Sequence, residues 1–351
     1  MRNLFIGATL MLSSIVNAQT EAVKITATKG NEYGLTYTLP KTVLCISIQT
    51  TKVTLKPGQF YQYAEKYLGV KDAIIEEKEY WEFDKAEAWG SAVPDKEHTY
   101  FIQLKSNVGP YMYLTDDGLL CSINTDPDFG DMPKSTLSVD KSKAKPGINK
   151  SSVMTEELLM ASSTSKMAEL AAKQIYRIRE SRMNILTGEA DKMPADGESF
   201  KLVISQLEEQ EKALTEMFTG VVTRESDVKS YLVTPEETMN NFIICRFSLH
   251  FGLVDKNDLS GTPVFLTLKT FDEPNVASVG KEKSKKGIVY RVPGEAQVKI
   301  LLSGKTYFDS VLKIAQFGSI TVLPSSVFED KKNPGKAVFY PDSGALRKIS
   351  Q

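Results

Sequence analysis

Two stretches of helical periodicity between about Thr155 and Gly220, set in a chain that otherwise reads as β-structure, restrict the folds open to this sequence. Phe200, Val203, Ile204, Leu207, Leu214, Met217 and Phe218 recur at spacings of three, four and seven, on one face of an α-helix. Glu208, Glu209, Lys212 and Glu216 take the opposite face. Glu208 precedes Lys212 by four positions, the favourable order for a surface pair worth about 0.2–0.5 kcal/mol. Gly220 is a natural stop, because glycine accepts the left-handed conformation that closes a helix. The preceding helix is less regular. Met167, Leu170, Ala171, Ile175, Ile178, Ile185 and Leu186 form its stripe, and Lys173, Arg177, Arg179 and Arg182 make its other side basic. Ser162, Ser163, Thr164 and Ser165 interrupt it, since short hydroxyl side chains compete for backbone hydrogen bonds. Helices joined by the loop from Leu186 to Gly197 are expected to lie antiparallel. Packing the two stripes together or onto a sheet satisfies the pattern; docking a partner helix is the sharper reading.

The chain begins Met1-Arg2-Asn3, runs apolar from Leu4 to Val16, and reaches the small-residue site Val16-Asn17-Ala18. This fits a secretory signal peptide over residues 1–18, with Gln19 as the first residue of the mature chain. The apolar run is too short for a membrane span of roughly 20 residues. No cysteine follows the cleavage site, so lipidation there is not expected. A soluble periplasmic or extracellular product follows, with no integral membrane segment. The near-neutral net charge of −1 argues against nucleic acid as a partner. Three cysteines, Cys45, Cys121 and Cys245, are too few for a disulfide scaffold. Free buried thiols are expected, with one disulfide and one leftover cysteine as the alternative.

Alternating or β-branched runs place strands at Val23–Ala27, Tyr33–Leu39 and Val43–Val53, with Pro40 ending the second or marking an edge. Phe60 to Leu68 returns to helical spacing and Gly69 closes it. Ile74–Phe83 is a strand, Val93-Pro94-Asp95 a turn, and Tyr111–Leu114 with Leu119–Ile123 a hairpin about Thr115-Asp116-Asp117-Gly118. Residues 131–152 are rich in Lys, Ser, Pro and Gly and read as a flexible linker. Further strands are expected at 227–232, 241–254, 263–270, 288–302, 308–315, 318–323, 337–340 and 345–349, with a polar loop at 272–286. Gly34-Leu35-Thr36-Tyr37-Thr38-Leu39-Pro40 echoes Gly287-Ile288-Val289-Tyr290-Arg291-Val292-Pro293, which two related β-halves would explain.

Several segments together form a recognisable signature. They include Tyr37-Thr38-Leu39-Pro40-Lys41-Thr42, Pro57-Gly58-Gln59-Phe60 and Tyr63 to Gly69. Leu186-Thr187-Gly188-Glu189, Met193-Pro194-Ala195-Asp196-Gly197 and Phe218-Thr219-Gly220 carry most of it. Tyr290 to Gly294, Ala315-Gln316-Phe317-Gly318 and Ser343-Gly344-Ala345-Leu346 follow. Together these segments resemble a secreted Bacteroidetes family, the domain of unknown function 4831; the resemblance spans nearly the whole mature chain and implies an envelope location. It implies no activity and carries over no catalytic residue. Asp309-Ser310-Val311 is similar to the short O-glycosylation acceptor of such bacteria, making Ser310 a candidate acceptor.

Known chemistries find few starting points. Nucleophilic hydrolysis needs a base, most often histidine, and only His98 and His250 exist. His250 has apolar neighbours, and a structural role is expected for both. No metal or cofactor is expected. Asn124 to Asp131 offers oxygens at alternate positions, but the calcium-loop glycine would fall at Phe129 and Ser135 stands in place of the terminal glutamate. Glycosidases need only two acids at the right separation. Glu79 and Glu82, beside Trp81 and Trp89, could form an acidic sugar-stacking platform; a strand with one aromatic and one solvated face would look the same.

The expected fold class is α+β: two mostly antiparallel β-domains, residues 19–130 and 221–351, with a central antiparallel helical hairpin at 153–220. The expected function is a non-enzymatic envelope protein that binds an envelope protein partner or self-associates. The alternative is a glycan-binding or glycan-cleaving protein using the Trp81/Trp89 segment.

Overall fold

The computed structural model describes residues 21–24, 34–103, 111–127, 153–191, 197–271, 287–328 and 333–350. The signal segment, the 131–152 linker, the 272–286 loop and most of the calcium-loop candidate lie outside the described residues. The protein is mixed α and β with antiparallel sheets. No described helix is long and apolar enough to cross a membrane.

Two long hairpins organise the β-structure. In the first, β2 (Gly34–Lys56) pairs with β3 (Lys78–Gln103), and β1 (Glu21–Lys24) extends the far side of β3. In the second, β10 (Gly287–Leu302) pairs with β11 (Lys305–Pro324) around the Ser303-Gly304 turn, where both residues take positive φ. β6 (Val221–Val233) joins the first hairpin along β2, giving the order β1-β3-β2-β6. β7 (Met239–Ser248), β8 (Gly252–Val254) and β9 (Thr262–Thr270) complete a sheet of order β11-β10-β9-β7-β8. A third sheet joins β4 (Met112–Leu114) and β5 (Leu120–Ile123) to the terminal pair β12 (Lys336–Phe339) and β13 (Leu346–Ser350).

The strands run longer than local signals suggest. β2 passes through Pro40 and β3 through Pro94, which are register partners. Proline lacks an N–H, so it is tolerated only where no ladder bond is required. The register shifts here: Thr38 pairs with Thr99 and Pro40 with Pro94, so Leu39 alone lies opposite residues 95–98. β6 starts its pairing with β2 only at Leu44, so Pro40 sits on a local edge. β11 likewise fuses the two strands expected at 308–315 and 318–323. Val292 pairs with Ser319 and Gly294 with Ile314, leaving Pro293 alone opposite residues 315–318. Both hairpins therefore start at the glycine of the sequence echo and carry the same one-against-four bulge near its proline.

The two large cores draw on both β-segments, 19–130 and 221–351. Leu44, Ile46, Ile48, Ala86 and Ala88 of the first hairpin share one core with Val264, Leu266, Leu268, Val298 and Ile300. Tyr37, Leu39, Ile102 and Ile123 share a second with Ile288, Val289, Leu323 and Phe339. Strands from the two segments thus interleave around shared cores.

The helices stand at the tip of the first hairpin. After β2, a 3₁₀ turn at Tyr61–Tyr63 leads into α1 (Ala64–Leu68), closed by Gly69 at φ 70°. α2 (Glu156–Leu159), α3 (Thr164–Thr187) and α4 (Gly197–Thr219) pack around α1. The hydroxyl run interrupts the first helix by capping: Ser163 Oγ accepts from Lys166 N–H and starts α3. Phe60 and Phe218 centre the cluster with ring centroids 5.4 Å apart. Basic α3 faces acidic α4: Arg179 and Arg182 both reach Glu211, at 2.6 and 2.9 Å. The expected Glu208–Lys212 pair does not form, because Glu208 turns to Arg182 and Lys212 to Glu216. Gly220 then turns α4 directly into β6; a Cβ there would stand 2.5 Å from the Lys56 carbonyl.

Candidate functional site

The two tryptophans do not share a surface. Eight residues apart on one strand, Trp81 and Trp89 would share a face if the pleat were unbroken. Between them the register shifts: Gln49 pairs with Lys85 but Thr50 with Phe83, so Asp84 is an extra residue. The bulge reverses the parity of the strand. Trp81 and Phe83 point to the large core before it; Ala86 and Ala88 do so after it, which sends Trp89 to the other face. Trp81 is half-buried under the β7–β8 turn. Its backbone N–H donates to the Leu249 carbonyl at 2.8 Å, and its ring lies so close to Gly252 (φ 71°) that a Cβ there would be 2.8 Å away. Glu79 is bound to Lys52 at 3.0 Å, which holds its carboxyl below the usual range, and Glu82 to Arg224 at 2.7 Å. These acids belong to ion pairs across the sheet, not to a groove between tryptophans.

Trp89 instead lines a cleft of about 300 Å³ at the crossing of the two hairpins. Gly90 and Thr42 form one wall, Lys313 of β11 another, and Tyr340, Asp342 and Ser343 of the β12–β13 turn the third. The seam beside it is held by reciprocal contacts. Gln316, in the bulge of β11, accepts from Thr42 N–H at 2.8 Å and donates to the Thr42 carbonyl at 2.9 Å. Arg291, on β10, reaches back to the bulge of β3, where it pairs with Asp95 and lies 3.1 Å from His98 Nδ1. His98 is also 2.9 Å from Asp95. Arg291 is 3% exposed. Burial alone would raise the Asp95 carboxyl, but the His98 hydrogen bond and the Arg291 charge outweigh it and hold Asp95 below the usual range. This cluster bridges the halves of the chain and gives His98 its structural place. Arg291 was not legible as a site residue, since a lone arginine in a β-run reads as a solvated position.

A larger cleft of about 480 Å³ opens where the β7–β8 turn, the β8–β9 loop and the β10–β11 turn meet. Phe247 and Leu302 lie at its base, with His250, Ser260, Lys305 and Tyr307 around them. His250 is not in a strand, as its apolar neighbours suggested. It sits exposed in the turn Leu249-His250-Phe251, because Gly252 reverses the chain after it. Leu249, Phe251 and Leu259 stand 62, 66 and 83% exposed at this end. The sequence signal was present as Leu249-His250-Phe251-Gly252, an apolar run ending on a turn glycine.

Ser310 is exposed on β11, an edge strand, and pairs with Val298; its neighbour Asp309 is bound to Lys299 at 3.0 Å. Asn124, the first residue of the calcium-loop candidate, is committed elsewhere: its side chain accepts from Tyr111 N–H and donates to the Gly335 carbonyl. Among the described residues no group of His, Cys, Asp and Glu is arranged to hold a metal ion. All three cysteines are free thiols. Burial raises each above the usual range, Cys245 to about 11, against a lowering hydrogen bond from Tyr231.

The family described as Domain of unknown function (DUF4831) matches residues 33–347. No curated protein and no solved structure matches.

Proposed function

This chain belongs to the DUF4831 family, and from that membership and the geometry above we propose that it is a non-enzymatic binding protein of the cell envelope. Its signal segment at residues 1–18 would carry it out of the cytoplasm. Its loop end would engage an apolar segment of a partner protein. One observation carries the reading: Leu249 lines an open cleft, and Phe251 and Leu259, each next in sequence to a residue of its lining, His250 and Ser260, are exposed as well. Exposing three large apolar side chains together costs solubility unless something covers them. The cleft floor of Phe247 and Leu302 offers further apolar surface, and rigid strands position the turns.

A photo-crosslinking residue in place of Phe251 tests this in envelope extract. The expected result is a discrete protein adduct that disappears when Leu249 and Leu259 become serine. The same adduct from a crosslinker at Leu202, an exposed position on α4, would sink the reading. A glycan-cleaving role finds no support in Glu79 and Glu82, which are held in ion pairs; what remains of that alternative is the Trp89 cleft.

A further inference from the structure

The cleft at the loop end offers a charge as well as an apolar floor. Resting on the reading that it binds a partner protein, we propose that the bound segment carries an aspartate or glutamate side chain beside its apolar anchor. The anchor lies on Phe247 and Leu302, and the carboxylate meets the ammonium of Lys305. The first support is where that ammonium stands. Lys305 and Leu302 are register partners where β10 turns into β11, so their side chains leave the same face of the sheet. Leu302 belongs to the large core, so Lys305 overhangs the end of that core and not the outer surface. Its Nζ lies 4.6 Å from the centroid of the Tyr307 ring. That ring meets Phe83 at 4.5 Å, and Phe83 meets Phe247 edge-on at 5.6 Å. The charge thus ends an aromatic row that runs to the cleft base, and both Phe247 and Tyr307 line the cleft. Such a ring contact is worth about 0.5–1 kcal/mol at an exposed site and steadies the flexible side chain.

The second support is that the charge is unanswered. No carboxylate lines the cleft; the other polar side chains there are the His250 imidazole and hydroxyls. Asp258 and Asp309, each two residues from a lining position, are engaged elsewhere. Asp258 Oδ1 accepts from Ser260 N–H at 2.9 Å, and Asp309 is bound to Lys299 at 3.0 Å. The third support is the setting. An ammonium beside apolar surface is less screened by water than one on an open face, so a carboxylate gains more by meeting it. Chain termini are captured by backbone N–H nests, whereas the donors here are side chains, which fits an acid within a segment.

Random peptides displayed inside a loop of a carrier protein, and so without a free terminus, would be panned against the whole protein. The expected result is enrichment of peptides in which a large apolar residue stands next to Asp or Glu. The best would be made as a terminally blocked peptide and its binding followed by fluorescence polarisation. Replacing its acid by the amide, or Lys305→Ala in the protein, should each weaken binding about fivefold, and both together hardly more than either alone. Lys305→Glu should reject the acidic peptide and bind a version with lysine in place of the acid. Lys305 is exposed, and circular dichroism checks that each variant is folded. Apolar peptides that are lost on Leu249→Ser with Leu259→Ser, yet need no acid and ignore Lys305→Ala, would overturn this inference and leave the docking reading standing. No enrichment, or binding that survives those serine substitutions, overturns both. Tighter binding of a peptide that lacks the acid and ends in a free carboxylate overturns the choice of a side-chain acid.

Discussion

At the scale of single residues, the hydroxyl of Tyr37 both donates to the Val289 carbonyl and accepts from the Val289 N–H, each at 2.9 Å. Burial drives its phenol far above the ordinary tyrosine range. Tyr37→Phe keeps the ring but orphans two backbone groups, so a loss of about 1–3 kcal/mol is expected. Urea unfolding should show it as a lower midpoint with unchanged slope. Asp95 makes a pH-dependent contribution. Its folded pKa lies below its unfolded one, so the stabilisation is present above the unfolded value of about 3.9 and is lost as pH falls through the folded value. Asp95→Ala leaves the Arg291 guanidinium buried without its carboxylate and should cost about 3–5 kcal/mol at pH 7. The gap between wild type and this variant should narrow below about pH 4, and a gap constant with pH would contradict the assignment.

At the scale of elements, the two bulged hairpins act on each other through the residues their bulges release. Residues 95–98 meet Arg291 and residues 315–318 meet Thr42. Gly318 lies where the bulge closes: a Cβ would stand 1.7 Å from the Val292 carbonyl. Gly318→Ala should therefore cost at least about 2 kcal/mol, measured by thermal and urea unfolding, since backbone must move to admit the methyl group. How much of this was legible varies with the range of the forces involved. The period of α4 shows plainly from Phe200 to Phe218 because a helix is closed by its own neighbours. The β-runs were legible too. Their fusion through Pro40, Pro94 and residues 315–318 was not, because a proline's tolerance in a sheet depends on a register set by distant strands. One extra residue, Asp84, decided the candidate site, turning Trp89 away from the face Trp81 occupies. No local pattern announces such an insertion. The cleft around Trp89 draws on β2, β3, β11 and the β12–β13 turn, and its glycine and aspartate carry no motif.

At the scale of the whole molecule, both large cores combine strands before residue 130 with strands after residue 240. A fragment of residues 19–130 lacks the apolar faces that cover Leu44, Ile46 and Ile48. It should be unfolded by circular dichroism and one-dimensional proton NMR, and mixing it with residues 153–351 should restore structure. Independent folding of the fragment would overturn the shared-core account. The bond between Tyr37 and Val289 also has a meaning in time. A chain made or threaded from its first residue presents β2 and β3, with their apolar inner faces, long before β10 exists to cover them. Contacts of such sequence separation form late, and exposed strand faces attract one another meanwhile. Until all but roughly the last sixth of the chain is free, Tyr37 has no Val289 to bind. The protein should therefore depend, during its emergence and not afterwards, on a chaperone that shields unpaired strands.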